Sequence, residues 1–304
     1  MIPPIILTAI ISSFLLSLLA LGFTLQYITL AVPNLAYTTI AFASTYVTLT
    51  MVLMELSPYS GIPFAFILGG IISVLLYKFM AFLRDRGISL LGLMISTLVF
   101  DLTIYGFMNI YADYIAYTFG AYTRAFTLSE TDFAIKGIPG ILFVSMIISL
   151  SLIAIFHLIL VKTKFGIAMR AVMENYSLAS VEGVNVDLVL SISWFFVGGI
   201  AGIAGSLYPI WFYMDPWVGA RILISVFAAC VVGGLKSVYG SLTGGLIIGA
   251  VEILVTHAFS SALGPWVWAY RATIPILIAC IVLLKMPEGL ASFISEFKVW
   301  RKKM

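Results

Sequence analysis

The chain has 304 residues, of which 62% are hydrophobic and 10% charged, with a formal net charge of +3. A soluble domain is nearer half apolar and a quarter charged. This composition, with a mean hydropathy of +1.15, excludes a water-exposed globule and implies an all-α, polytopic bundle of transmembrane helices. Lipid is the expected surrounding, and no nucleic-acid partner is expected.

The first charge in the chain is Glu55. A membrane helix needs about 20 apolar residues, so the uncharged stretch before Glu55 has room for two spans. Met1-Ile2-Pro3-Pro4 lacks the basic flank of a cleaved signal peptide, so the first span is expected to be retained. Pro33-Asn34 interrupts the apolar run, either as a turn between two helices or as an unwound point within one. Apolar runs bounded by charges or breakers predict spans at 5–31, 35–54, 62–83, 88–111, 139–161, 188–213, 221–235, 241–260 and 268–285. The run 221–235 is short, and reads as a tilted span or as part of a re-entrant hairpin. The expectation is therefore eight or nine spans in one transmembrane domain over 1–304, with polar connections at 112–138 and 162–187 and a basic tail at 286–304.

Basic residues set membrane orientation. With an N-terminus outside and a C-terminus in the cytoplasm, Arg124, Lys136, Arg221 and Arg271 fall outside and the other twelve of the 16 basic residues fall inside. Trp211, Tyr213, Trp217, Trp266, Trp268 and Tyr270 then lie near the outer interface, where amphipathic rings prefer to sit. The 112–138 connection is external in this layout and 162–187 is cytoplasmic.

The internal connection has helical composition from Phe165 to Glu174. Asn175 or Ser177 can cap a second short helix that stops at Gly183. A short amphipathic segment of this kind either lies on the lipid surface or inserts into a groove on another protein. Small residues at Gly198-x-x-x-Gly202, Ala201-x-x-x-Gly205, Gly240-x-x-x-Gly244 and Gly245-x-x-x-Gly249 share helix faces, where they let backbones approach closely in lipid. Such seams pack a bundle and can also let it slide.

Asp101 and Glu252 lie near the middle of predicted spans. A charge there costs about 2.5–3.5 kcal/mol on insertion scales, so each must face protein, water or a partner. Both are candidates to line a translocation route, with a hydrogen-bonded interior carboxyl as the alternative. Asn34 joins them because broken helices often line transport sites, with an ordinary interfacial turn as the favoured alternative. His157 and His257 lie one near each end of their spans and read as interfacial or packed. Cys230 and Cys280 both sit in apolar runs, so neither a structural disulfide nor a metal site is expected. No catalytic residue, metal or cofactor is predicted, and Gly234-Leu235-Lys236-Ser237 lacks the glycine-rich phosphate loop of a nucleotide site.

Several ordered segments carry a resemblance. Thr163-Lys164-Phe165-Gly166-Ile167-Ala168-Met169-Arg170-Ala171, continuing through Glu174-Asn175, Ala179 and Gly183-Val184-Asn185-Val186-Asp187, is similar to the cytoplasmic loop of branched-chain amino-acid ABC permeases. The likeness continues at Gly198-Gly199-Ile200-Ala201-Gly202-Ile203-Ala204-Gly205, at Val232-Gly233-Gly234-Leu235, at Gly240-Ser241-Leu242-Thr243-Gly244-Gly245-Leu246 and at Glu252. Met286-Pro287-Glu288-Gly289-Leu290 resembles the family's Arg-Pro-Arg-Gly-Leu ending. Tyr37-Thr38 stands where the family usually has His-Gly. The resemblance implies an importer with two permease subunits, identical or homologous, two cytoplasmic ATP-binding subunits and an external substrate-binding protein. It implies that Phe165, Gly166, Arg170, Ala171, Glu174, Ala179 and Gly183 belong to a helix that couples to the ATPase. A permease for a sugar, nucleoside or other small polar solute is the neighbouring reading. An ion-coupled carrier, with Asp101 and Glu252 as ion ligands, is the reading from another class.

Overall fold

The structure, a computed structural model, describes residues 3–286 and 289–290. Helix α1 covers Pro4–Leu30, and the chain bends at 31–36 before α2 (Tyr37–Ala43) and α3 (Thr45–Leu53). There follow α4 (Ile62–Asp85), α5 (Leu90–Phe119), a small hairpin of β1 (Ala134–Ile135) and β2 (Ile138–Pro139), and α6 (Gly140–Lys162). Two short helices, α7 (Lys164–Glu174) and α8 (Tyr176–Val181), lead to α9 (Val186–Leu207), α10 (Val218–Gly233), α11 (Val238–Leu263) and α12 (Thr273–Lys285).

Among the described residues, six helices are long and apolar enough to cross a membrane: α1, α4, α5, α6, α9 and α11. The broken pair α2–α3, with α10 and α12, make up the shorter apolar helices. The 16 residues of α10 span about 24 Å at 1.5 Å per residue, less than a hydrocarbon core of about 30 Å. Pro33-Asn34 is a turn between helices, because the chain leaves α1 at Leu30 and re-enters helix at Tyr37.

Three expected boundaries move. The 112–138 connection starts later, because α5 continues to Phe119 and stops only where Gly120 adopts φ 65°. The run 188–213 ends at Leu207, where a 3-10 turn at Tyr208–Ile210 carries Pro209. The run 268–285 begins as helix at Thr273, because Pro265–Tyr270 forms a 3-10 turn. Pro287 and Glu288 of the closing motif, and Lys298, Arg301, Lys302 and Lys303 of the basic tail, lie outside the described residues.

The chain divides into two compact units, one made of Met1–Leu25 with Ala220–Met304, the other of Gln26–Gly219. In the central unit α4 lies against α9 at backbone distance. A Cβ on Gly69 would land on the Gly198 carbonyl, and one on Gly202 would land on that of Ala65. Phe66, Phe195 and Phe196 pack edge to face beside this seam, with centroids 5.6–6.2 Å apart. The next turn of α9 meets the broken helix: Thr45 Oγ1 donates to Gly205 O and Thr48 Oγ1 to Ser206 O, both at 3.0 Å.

In the terminal unit α11 presents glycines in two directions. A Cβ on Gly244 would strike Ala229 O of α10, and Gly233 likewise has no room beside Gly240 O. Gly245 and Gly249 face α1 at Ser17 and Ser13. Cys230 Sγ donates to Ala20 O at 3.3 Å. Since apolar burial gains little between helices in lipid, this close backbone contact is what holds such helices together.

Candidate functional site

The connection between α6 and α9 is a capped helical elbow. Thr163 Oγ1 accepts from Gly166 N at 3.0 Å and donates to Ile159 O at 2.6 Å, ending α6 and starting α7 with one side chain. Gly166 has no space for a Cβ, because the carbonyls of Ile159 and Leu160 lie against its Cα. That contact folds α7 sharply back on the end of α6. Asn175 caps α8 by accepting from Leu178 N at 3.0 Å, and Gly183 at φ 84° ends it. Asn185 then caps α9 by accepting from Leu188 N at 3.0 Å.

One side of the elbow is packed and the other is bare. Gly166, Met169, Val172 and Ala179 are buried, with Phe165 and Ala171 half-buried. Arg170, Glu174 and Gly183 are exposed, and so are Ile167, Leu178 and Val181, the last at 83%. The elbow is also tied to α4. Arg84 donates to Tyr176 Oη at 3.2 Å, with its guanidinium 4.8 Å from the ring centre. Just past the elbow, in the first turn of α9, Asp187 is held to the same helix: Lys78 Nζ lies 2.5 Å from Asp187 Oδ2, and Tyr77 Oη donates to Asp187 Oδ1 at 3.3 Å. The sequence reading did not find these ties. Its only signal was the clustering of Lys78, Arg84 and Arg86 toward one end of a span.

Asn34 lies in the bend before α2, and Asp101 lies on α5 facing α2. Asn34 is buried, donating to Gln26 Oε1 at 2.7 Å and accepting from Ala36 N at 3.0 Å. Gln26 passes the chain on to Ser73 Oγ at 2.9 Å, and Leu35 N donates to Thr97 Oγ1 at 3.2 Å. One turn along α5, Asp101 faces the Thr39 hydroxyl, and Asp101 Oδ1 is buried without a hydrogen-bond partner. Tyr105, a further turn on, packs on Trp217 with centroids 4.5 Å apart. Gln26, Ser73 and Thr39 escaped the sequence reading because a lone uncharged polar residue in an apolar run marks no site by itself.

Glu252 belongs to the terminal unit. It is 5% exposed and lies 3.4 Å from Arg271 Nε, with the Ser225 side chain beside it. Arg271, expected at the outer surface, thus turns inward to a carboxylate in the middle of α11.

The connection 120–139 is ordered. Phe126 and Met214 exchange backbone bonds of 3.0 and 2.8 Å, and Leu128 N donates to Pro209 O at 2.7 Å. Asp132 accepts from Tyr59 Oη at 2.6 Å and from Ile141 N at 2.9 Å. Among the described residues no group of His, Cys, Asp and Glu could hold a metal ion.

The family described as "Branched-chain amino acid transport system / permease component" matches residues 5–283. The chain belongs to this permease family. It is 41% identical over 283 residues, 93% of this chain and 90% of the relative, to a "Probable branched-chain amino acid transport permease protein LivH" of Methanocaldococcus jannaschii. It is 30% identical over 129 residues, 42% of this chain and 40% of the relative, to the "High-affinity branched-chain amino acid transport system permease protein LivH" of Escherichia coli K12. A 29% identity over 143 residues, 44% of this chain and 37% of the relative, links it to the "Xylose transport system permease protein XylH" of Haemophilus influenzae. No solved structure matches. The family member is a multi-pass membrane protein and a permease component of a transport system.

Proposed function

We propose that this permease is the membrane-spanning subunit of an ABC importer that carries branched-chain or similar amino acids. The observation that carries the reading is the 41% identity extending over 93% of the chain to an archaeal branched-chain amino acid permease. In this reading the N-terminus is outside and the C-terminus cytoplasmic, and the short helices α2–α3, α10 and α12 complete nine spans. A second permease, identical or homologous, two cytoplasmic ATPases and an external binding protein complete the machine. ATP hydrolysis belongs to the partners.

The elbow α7–α8 is the docking surface for the ATPase, with Ile167, Leu178 and Val181 as apolar knobs and Arg170 and Glu174 as the charged rim. Closure of the motor would pull on α8, and the Tyr176–Arg84 and Asp187–Lys78 ties would pass the pull to α4. Because α4 and α9 touch at their backbones, they would move as one body and shift α2–α3 through Gly205 and Ser206. Asn34, in the bend before α2, and Asp101, on α5, are the proposed polar markers of the pathway in the central unit, and Glu252 in the terminal unit. The connection 120–139, with its exposed Tyr122 and with Tyr117 exposed at the end of α5, is the proposed seat of the binding protein.

The test is co-purification and uptake. Reversing Arg170 to Glu together with Glu174 to Arg should abolish ATPase co-purification while the permease remains monodisperse in detergent. Leucine uptake by proteoliposomes holding the full complex should stop with it. Uptake that persists without ATP, driven by a proton or sodium gradient, would show a secondary carrier instead. The partial likeness to a xylose permease favours a second reading, and uptake of labelled xylose rather than leucine in the same assay would select it.

A further inference from the structure

The central unit holds a cavity of about 910 Å³ walled by α4 and α5 and floored by the break between α2 and α3. Leu68, Ile72, Leu75 and Phe79 form its α4 wall, and Val99 to Tyr111 its α5 wall. Leu75, Phe79, Val99 and Phe107 are all exposed, so on two membrane-spanning helices the cavity opens sideways into lipid.

The hydroxyl protons of the lining are already committed to protein acceptors. Thr103 Oγ1 donates to Val99 O at 2.8 Å, Tyr111 and Thr50 bond each other at 2.9 Å, and Tyr46 Oη donates to Thr123 O at 3.3 Å. An apolar cavity of this kind stays dry in water, and within a bilayer it takes hydrocarbon.

The α4 wall does not stop at Phe79. Positions 68, 72, 75 and 79 follow one helix face, and 82 and 86 continue it. Phe82 is exposed, and the Arg86 guanidinium lies 4.2 Å from its ring centre. Among the described residues Arg86 is paired with no carboxylate. From Leu68 to Arg86 the stripe is about 27 Å along the helix, or about 25 Å along the membrane normal at the usual ~20° tilt. One leaflet with its headgroups measures about 20–22 Å. The stripe therefore presents hydrocarbon, then an aromatic ring, then a free cation, over the depth at which a phospholipid presents its tails, glycerol and phosphate.

We propose that this groove is a structural site for one anionic phospholipid, its tails against Leu68–Phe79 and its phosphate on Arg86. A helix of a second permease copy is the rival occupant. An apolar helix seated there would leave Arg86 without a counter-charge, whereas a lipid phosphate supplies one.

The experiment is native mass spectrometry of the full chain in mild detergent, loaded with dioleoyl phosphatidylglycerol or dioleoyl phosphatidylcholine. One phosphatidylglycerol should survive conditions that strip the remaining lipid. Thr103→Trp, which fills the groove from an exposed position, should lower its retention at least fivefold. Arg86→Gln, which removes the charge at the helix end, should bring phosphatidylglycerol down to the phosphatidylcholine level. Leu150→Trp, on the exposed face of α6, should change nothing. Equal retention in all three variants overturns the site, as does a Thr103→Cys disulfide that joins two copies through the groove.

Discussion

Two faces of α4 solve the same problem in opposite ways. Toward α9 it offers Gly69 and Gly70, and the neighbouring backbone and Phe195 fill the space where side chains would be. Toward α5 it offers Leu68, Ile72, Leu75 and Phe79, and between the helices a 910 Å³ groove remains. The small-residue face makes a contact that nothing else can enter, whereas the large-residue face leaves volume that another molecule must complete. In water the larger side chains would be the stronger glue. In lipid they compete with acyl chains for the same contacts, and the glycine face wins.

The largest effect should come from filling the closed face. Gly202→Leu drives a side chain onto Ala65 O, so its cost belongs at or above the top of the about 1–3 kcal/mol range for overpacking. Thr103→Leu on the open face should stay within about 0.5 kcal/mol. Thermal unfolding of the two detergent-purified variants, followed by size-exclusion fluorescence, measures the contrast. Equal melting temperatures would show that the α4–α9 seam is not the unit's rigid element.

Next in size is the polar turn at Asn34. Asn34→Ala leaves Gln26 Oε1 buried without its donor, a loss of about 1–3 kcal/mol. Asn34→Asp keeps the acceptor for Ala36 N but removes the same donor, so it should be no milder. Leucine uptake per folded molecule then separates a packing role from a pathway role. A pathway residue loses transport beyond its loss of folded protein, and a turn residue does not.

Much of this was legible before any coordinates. The apolar runs locate the helical segments because membrane spans are written in composition alone, and the second half of the elbow is legible because Asn175 and Gly183 are local signals read by their own backbone. The glycine pairs announce close contact, but their partners are not in the pattern: nothing in Gly198-x-x-x-Gly202 says that Gly69 and Ala65 receive it. The end of α5 was missed because Asp113 reads as a surface charge, yet it pairs with Arg124 at 2.8 Å while still helical. Arg271 was placed by the hydropathy boundary, and its turn toward Glu252 is a tertiary choice between two positions distant in sequence. The groove was invisible for the same reason, since it is a mismatch between two faces that are unremarkable singly.

A smaller effect tests whether the elbow is mechanically joined to the closed face. Tyr176→Phe keeps the ring under Arg84 and removes only the hydroxyl acceptor. At an exposed site this costs below about 1 kcal/mol. Stability should hardly move, and ATPase co-purification should be unchanged. If the tie carries load, leucine transported per ATP hydrolysed should fall by about 2–5-fold, the equivalent of 0.5–1 kcal/mol, and Arg84→Gln should do the same. An unchanged ratio in both variants would leave the α6–α7 corner at Gly166 as the route of transmission.

The smallest effect is expected at the Lys78–Asp187 pair, although it is the shortest ion contact of the α4–α9 pair. Both side chains are about half exposed, 50% and 57%, and exposed pairs contribute about 0–1 kcal/mol. Asp187 has other reasons to stay in place. It accepts from Tyr77 Oη, and it sits in the first turn of α9, where the helix dipole favours a carboxylate. Lys78→Ala should therefore cost less than Asp187→Ala, and a double-mutant cycle should give a coupling within about 0.5 kcal/mol that shrinks further in high salt. A coupling several times larger would mean that charge, rather than the absence of side chains at Gly69, Gly198 and Gly202, locks the two helices together.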